Sequence, residues 1–142
     1  MMGQKGNGRE ALLGMIKEEQ AKTGHLSKDA MVRVAETLGV TVGDVYGVTT
    51  FYSFLSTWPM GRHVIRVCKS VPCCMKDAER LIGWVGKELG INPEETTPDG
   101  RFTLTLTNCI GACDQAPAML IDDEVYGQLT PERISEILKS FD

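Results

Sequence analysis

Apolar residues recur at helical spacing through the first third of the chain. Residues 9–22 and residues 26–40 each place most of their apolar side chains on one face of a helix. In the second segment, Ser27 is a suitable N-cap and Gly39 is a suitable C-terminal stop. The pattern therefore predicts two amphipathic helices before residue 41.

The segment from Thr41 to Leu55 has a different pattern. Thr41 followed by Asp44 is an acidic variant of the capping box and predicts the start of a third helix. The apolar and aromatic residues of this segment lie on more than one face: Val45, Tyr46, Val48, Phe51, Tyr52, Phe54 and Leu55. A helix that is apolar all round is either buried or bound to a partner.

The sequence "TWPMGR" at residues 57–62 interrupts the helical pattern. Proline and glycine in this stretch favour a break between two structural regions. We therefore expect a helical region over residues 1–60 and a second domain over residues 61–142.

The second domain combines strand and helix patterns. The predicted order is strand, helix, strand, hairpin and helix, over residues 63–68, 75–90, 101–107, 118–129 and 130–141. The hairpin turn is expected near Asp122 and Asp123, and Thr130 is the expected N-cap of the last helix. A βαβ crossover followed by a hairpin and a covering helix gives a mixed sheet flanked by helices. This arrangement is thioredoxin-like, so the predicted fold class is α+β with an N-terminal helical bundle.

Composition and charge limit the classes of function. The chain has 142 residues, of which 42% are hydrophobic and 24% charged, as is typical of a globular protein. A net charge of −4 argues against a nucleic-acid partner. The polar N-terminal stretch is unlike a signal peptide, and the longest apolar stretches are too short to cross a bilayer. We expect a cytoplasmic protein that does not insert into the membrane.

Five cysteines are the main candidates for chemistry. Cys68 ends the first predicted strand, Cys73 and Cys74 are expected at the start of the helix that follows, and Cys109 and Cys113 follow the second strand. Because consecutive parallel strands of a βαβ unit end at the same edge of the sheet, we expect at least four thiols to converge there. In a reducing compartment, such unevenly spaced cysteines indicate metal or redox chemistry rather than structural disulfides.

The cysteine spacing leaves several sites open. Structural zinc sites favour shorter gaps between paired cysteines, although the gaps here are within their range. A thiol–disulfide oxidoreductase normally has C-x-x-C at a helix start, and the chain lacks that motif. A 2Fe–2S cluster spans a wider base, and C-x₄-C is one of its known spacings. Spacing alone favours the cluster over zinc without excluding zinc.

Several segments resemble one known family. They are "VYGVTTFYSFL", "GRHVIRVC", the C-x₄-C of Cys68 and Cys73, "PDGRFTL" and "CIGACDQAP". Together they resemble the 24-kDa (or E) subunit family of NADH dehydrogenase (complex I), whose members are thioredoxin-like 2Fe–2S ferredoxins. The same module occurs in NAD(P)-linked hydrogenases, electron-bifurcating ones included, and in NAD-linked formate dehydrogenases. The resemblance extends from about Leu12 to Phe141, and it implies that Cys68, Cys73, Cys109 and Cys113 hold one 2Fe–2S cluster.

The resemblance also implies a function. Members of this family are small electron-transfer subunits of multisubunit NAD(P)H-linked oxidoreductases, without a catalytic site of their own. They dock beside a flavin- and NAD(H)-binding subunit, so FMN and NAD(P) are expected on that partner and not on this chain. Further iron–sulfur, hydrogenase or dehydrogenase subunits are expected in the complex, which is of the electron-bifurcating hydrogenase type or the NADH dehydrogenase type. The apolar segment 45–55 is the first candidate for the interface.

Two other functions remain compatible with the residues. One is a free-standing ferredoxin-like carrier, for which the apolar segment 45–55 would have little use. The other is a zinc-stabilised interaction module without a redox role.

Cys74 departs from the family pattern, which typically has histidine after the second ligand. It is either an inert neighbour of the cluster or a spare ligand. We expect the former, because Cys68 and Cys73 already match the ligand spacing.

Overall fold

The computed structural model describes residues 7–141, and the chain divides into two compact units, Met1–Pro59 and Met60–Asp142. We call them the N-terminal unit and the C-terminal unit. The described part of the N-terminal unit forms α1 (Asn7–Thr23), α2 (Lys28–Leu38) and α3 (Val42–Phe51). The C-terminal unit forms, in chain order, β1 (His63–Cys68), α4 (Val71–Cys74), α5 (Ala78–Leu89), β2 (Glu95–Thr96), β3 (Phe102–Thr107), a short 3₁₀ turn (Cys113–Gln115), β4 (Met119–Ile121), β5 (Glu124–Tyr126) and α6 (Pro131–Ser140). Along residues 7–141, no helix combines the length and apolarity needed to cross a membrane.

The core of the N-terminal unit contains apolar residues from α1, α2, α3 and the α1–α2 connection. Its buried members are Leu12, Ile16, Leu26, Ala30, Met31, Val34, Ala35 and Val45. The predicted boundaries of α2 are confirmed: the Ser27 hydroxyl oxygen accepts a hydrogen bond from the Ala30 N–H at 3.2 Å, and Gly39 ends the helix. The two amphipathic helices predicted before residue 41 are therefore present.

The capping box predicted at the start of α3 is complete. The Thr41 hydroxyl oxygen accepts a hydrogen bond from the Asp44 N–H at 3.1 Å. The Asp44 carboxylate accepts one from the Thr41 N–H at 3.2 Å. Two of the N–H groups that a helix start leaves without an intrahelical partner are therefore satisfied.

The third helix is shorter than predicted. It ends at Phe51 and not near Leu55. The backbone beyond it bonds to other parts of the N-terminal unit. The Gln20 side chain donates to the Phe54 carbonyl at 2.8 Å and accepts from the Ser56 N–H at 2.7 Å. Since these groups are bound to Gln20, the chain can leave the helix without burying unpaired backbone groups.

The strands of the C-terminal unit form a five-stranded mixed sheet in the order β2-β3-β1-β4-β5. β1 and β3 are parallel and the other neighbouring pairs are antiparallel. α5 and α6 contribute to the same core as the inward residues of β1 and β3, with Leu81, Val85, Ile134 and Leu138 among their buried side chains. The α+β fold class and the predicted hairpin are confirmed. β2 was not predicted, because its two residues are too few to show a period.

The helix predicted over residues 75–90 is divided differently in the structure. Cys73 and Cys74 belong to the separate short helix α4, not to the start of the long helix. Asp77 has a φ of 61°, outside the right-handed helical region, and α5 begins after it at Ala78. The expectation that both cysteines begin the long helix was wrong.

The loop after β3 is fastened to the segment before α6. The Gln128 N–H donates to the Gln115 carbonyl at 2.7 Å, and the Leu129 N–H donates to the Pro117 carbonyl at 3.2 Å. Gly127 makes this approach possible, because a Cβ at that position would overlap the Cβ of Gln115 and lie 2.7 Å from its Oε1. Leu129 is in the core, so the loop is tied to the most buried part of the unit.

We expect Thr41→Ala to destabilise the chain, because it removes the side-chain half of the α3 capping box. The free energy of unfolding should fall by about 1 kcal/mol. Denaturant unfolding followed by far-ultraviolet circular dichroism measures this change. Thr37→Ala is the control, because the Thr37 hydroxyl bonds only to a carbonyl of its own helix. An equal loss of stability in both variants would contradict the role of the capping box.

The same capping box should respond to acid. The Thr41 hydroxyl and the Thr41 N–H donate to the Asp44 carboxylate and hold its pKa below the ordinary value of 3.8. The stabilising contribution is therefore fully present above pH 3.8 and is lost as the pH falls through the pKa of the folded state. Thr41→Ala should reduce this acid-dependent loss in the same unfolding experiment.

We expect Gly127→Ala to loosen the loop after β3. The backbone of Gly127 does not have a positive φ, so the cost of the substitution is the steric overlap with Gln115. Overpacking of this kind lowers the free energy of unfolding by about 1–3 kcal/mol. Thermal or denaturant unfolding of the purified chain measures it.

Gly83→Ala is the matched control for Gly127→Ala. A methyl group at position 83 has no heavy atom within 4 Å, and Gly83 lies in α5. Helix propensity then predicts unchanged or increased stability, by up to about 1 kcal/mol. If Gly127→Ala were as stable as Gly83→Ala, the packing of Gln115 on Gly127 would not fasten the loop.

Candidate metal centre

The parallel pairing of β1 with β3 brings the two groups of cysteines together. Cys68 is the last residue of β1 and lies opposite Thr107, the last residue of β3. The loops that follow these two strands therefore start side by side at one edge of the sheet. Cys73 lies in α4, within the connection after β1, and Cys109 and Cys113 lie in the connection after β3.

Four of the thiols fall into two pairs of interacting neighbours. Cys68 and Cys73 affect each other's pKa, and Cys109 raises the pKa of Cys113. The two pairs also interact through their charges, since Cys113 and Cys109 act on Cys73, and Cys68 acts on Cys113. The first pair is buried and the second is exposed. A buried pair and an exposed pair of thiols thus lie within electrostatic range of each other.

Apolar side chains surround the buried pair. Cys68 and Cys73 are 0% and 2% exposed, and Ala78 belongs to the same buried cluster. Ile110 and Ala116 from the second loop pack against it. The second loop therefore supplies part of the wall around the first pair of sulfurs, which keeps water away from them.

The two thiols of the buried pair differ in acidity. Burial opposes ionisation of Cys68, but hydrogen bonds from the Ser70 N–H, the Cys73 thiol and the Ser70 hydroxyl outweigh it, so the pKa of Cys68 is lowered. Burial, the hydrogen bond to Cys68 and the charge of Cys68 raise the pKa of Cys73 to about 11. The thiol of Cys68 is therefore the more acidic of the two.

In the exposed pair, the hydrogen bond to Cys109 and the charge of the same neighbour raise the pKa of Cys113. Two neighbouring thiolates repel each other, so a proton on this pair is harder to remove.

A backbone N–H group of the second loop points at one of its sulfurs. The Gly111 N–H donates to Cys109 Sγ at 3.3 Å. Gly111 has a φ of 79°, a conformation that glycine adopts without strain. Glycine at this position therefore lets the loop backbone turn toward the sulfur.

Cys74 is placed differently from the paired cysteines. It is exposed, and its Sγ donates to the Lys69 carbonyl at 3.4 Å. A backbone carbonyl, and not another thiol, is thus the hydrogen-bond partner of this sulfur. The geometry agrees with an inert neighbour more closely than with a fifth ligand.

The set of donors suits a binuclear group. Within residues 7–141, no three Cys, His, Asp or Glu side chains converge closely enough to hold a single metal ion. A zinc ion would need its four ligands around one centre, with sulfurs at about 2.3 Å. In a 2Fe–2S cluster each iron takes two protein ligands, which corresponds to two pairs of sulfurs. The two pairs of thiols at one sheet edge match the number of protein ligands of such a cluster.

Comparison with known proteins gives close relatives along nearly the whole chain. One is the E subunit of NADH-quinone oxidoreductase from Pseudomonas aeruginosa, 41% identical over 133 residues, which cover 94% of this chain and 80% of the relative. The protein of the same name from Escherichia coli K12 is 42% identical with the same coverage. Both relatives are named as subunits of an oxidoreductase.

Among solved structures, the chain is similar to part of an NAD⁺-reducing [NiFe]-hydrogenase in the air-oxidized state. The TM-score is 0.77 at 23% sequence identity, over 92% of this chain and 22% of the hydrogenase chain. The matched region is thus about a fifth of that longer chain, and this likeness shows the fold.

A family model agrees with the fold and with the relatives. The model for the thioredoxin-like [2Fe-2S] ferredoxin matches residues 1–142. The chain belongs to the thioredoxin-like [2Fe-2S] ferredoxin family.

Proposed function

We propose that this chain is the 2Fe–2S electron-transfer subunit of an NAD(P)H-linked oxidoreductase complex. Cys68, Cys73, Cys109 and Cys113 hold the cluster. The observation that carries the proposal is the meeting of two thiol pairs at one sheet edge, in a chain of this family. The relatives named as subunits of NADH-quinone oxidoreductase support the same role.

The cluster supplies one-electron chemistry when bound, at a potential on the order of −400 mV for ligation by four cysteines. The residues of this chain determine the surroundings of the cluster. Cys68 and Cys73 hold it from the buried side, and Cys109 and Cys113 hold it from the exposed side. The N–H group of Gly111, which donates to the sulfur of Cys109, stabilises the negative charge of the site.

The exposed side of the site is where electrons enter and leave. Cys109 and Cys113 are both exposed, so a redox partner can approach them closely. Val71 and Met75 lie beside the first cysteine loop and are 73% and 81% exposed. The first cysteine loop thus presents exposed apolar side chains, as surfaces for protein contact do.

The partner is a flavin- and NAD(H)-binding subunit, which carries FMN and NAD(P). Further iron–sulfur, hydrogenase or dehydrogenase subunits complete the assembly. A second exposed surface supports assembly with several subunits. It contains four aromatic residues: Tyr46, Phe51, Tyr52 and Phe54. Phe51 is 79% exposed and Tyr46 is 54% exposed. Exposed aromatic clusters of this kind mark protein interfaces, where tyrosine and phenylalanine are enriched.

We expect the purified chain to contain about two irons and two sulfides and to give an S = ½ signal after reduction. Anaerobic absorption spectra, iron and sulfide assays and EPR with dithionite measure these properties. Cys68→Ala and Cys113→Ala should each lose the cluster, since each removes one ligand. Cys74→Ala is the matched control and should keep full iron content, because its sulfur faces the Lys69 carbonyl.

Two results would contradict the ligand assignment. A colourless chain that binds one zinc ion through the same thiols would remove the electron-transfer function. Loss of the cluster from Cys74→Ala but not from Cys113→Ala would assign the ligands differently.

We expect Phe51→Ser and Tyr46→Ser to weaken binding to the flavin-binding subunit by about tenfold or more, as removal of a central aromatic side chain does at other interfaces. Co-purification and calorimetric titration with that subunit measure the change. Val32→Ser is the control, because Val32 is an exposed apolar residue on α2, at 40% exposure. Iron content should be equal in all three variants. Unchanged affinity in the two aromatic variants would place the interface elsewhere.

A further inference from the structure

A side chain of α1 holds the backbone that follows α3. The amide of Gln20 donates to the Phe54 carbonyl at 2.8 Å and accepts from the Ser56 N–H at 2.7 Å. In a parallel sheet, one residue likewise bridges two residues of the next strand that are two positions apart. Residues 52–56 lie outside the helices and strands. Gln20 therefore gives this irregular segment the hydrogen bonds that a neighbouring strand would supply.

A second attachment holds the same segment at its end. The Leu26 N–H donates to the Ser56 carbonyl at 2.7 Å. Leu26 is 0% exposed and Ser56 is 3% exposed, so water does not compete for this bond. The Leu55 side chain packs against the core of the N-terminal unit. The backbone that follows Phe54 is therefore fixed to the core, while the Phe54 side chain is 44% exposed.

The fixed segment carries half of the exposed aromatic surface. We call this surface the aromatic patch, and its members are Tyr46, Phe51, Tyr52 and Phe54. The first two lie within α3, whereas the last two lie beyond its end. The helix holds the side chains of Tyr46 and Phe51 in place. The positions of Tyr52 and Phe54 depend instead on the conformation of the segment that Gln20 holds.

We propose that Gln20 preorganises the aromatic patch for binding to the partner subunit. The proposal rests on the proposed function, in which this patch contacts the flavin-binding subunit. Without the amide of Gln20, the Phe54 carbonyl and the Ser56 N–H turn to water, and the segment samples several conformations. Only the ordered fraction of the molecules is then ready to bind, so the apparent affinity falls in proportion to that fraction. Gln20 is thus a positioning residue for docking.

Hydrogen exchange of the free chain measures the conformation of the segment without any partner. The informative amide is that of Leu26, because it bonds to the Ser56 carbonyl and not to Gln20 itself. Gln20→Ala should make its exchange about tenfold faster, since the segment separates from the core more often. The amide of Val34, in α2, reports opening of the whole unit and should be unchanged. Equal acceleration at Leu26 and Val34 would show a general loss of stability and overturn the positioning role.

Binding kinetics with the flavin-binding subunit test the effect on docking. Gln20→Ala should lower the association rate constant about tenfold and leave the dissociation rate constant unchanged, because the bound conformation stays the same. Gln20→Met keeps the length of the side chain without its amide and should behave like Gln20→Ala. Phe51→Ser removes a contact and should instead speed dissociation. Thr37→Ala is the neutral control, because Thr37 is exposed and its hydroxyl bonds to its own helix.

The outcomes separate this inference from the proposed function. If Phe51→Ser and Tyr46→Ser bound as tightly as the wild type, the proposed interface would be wrong, and the inference with it. If those variants bound weakly while Gln20→Ala and Gln20→Met associated at the wild-type rate, only the role of Gln20 would be refuted. Faster dissociation at an unchanged association rate would make Gln20 a contact residue of the interface, which also refutes its positioning role.

Discussion

The parallel register of β1 and β3 is the constraint on which the site depends. Because Cys68 and Thr107 end the two strands side by side, both cysteine loops begin at one sheet edge. The crossover through α5 requires this direction, and its buried face holds the two strands against the core. The same core positions α6 and the segment before it, which is fastened to the second loop. The chemistry of the thiols thus follows from the pairing of two strands.

The two pairs of cysteines differ in solvent exposure, because the two loops that carry them pack differently. The first loop turns into α4 beneath the apolar side chains of Ile110 and Ala116, so Cys68 and Cys73 are buried. The second loop contains Gly111 and lies at the surface, so its sulfurs meet the solvent. One side of the site is therefore a rigid, water-excluded wall with fixed hydrogen-bond donors. The other is open to a partner, as transfer of single electrons between proteins requires.

The sequence predicted the elements whose signals are local and regular. Ser27, Thr41 and Thr130 mark helix starts by their capping chemistry, and each caps the helix expected. The sequence alone did not predict features that depend on distant contacts. The side chain of Gln20 binds the backbone where α3 was expected to continue. The meeting of the two cysteine loops at one sheet edge, by contrast, followed from the predicted topology.

The attachment of the second loop at Gly127 affects how the protein opens. Exposed loops usually fluctuate independently of the core and exchange their amide protons quickly. Here the N–H groups of Gln128 and Leu129 bind the carbonyls of Gln115 and Pro117, and Leu129 is itself a core residue. The loop that carries Cys109 and Cys113 therefore belongs to the same cooperative unit as the sheet and α6. The loop with the exposed sulfurs is therefore expected to unfold together with the core of the C-terminal unit, and not separately from it.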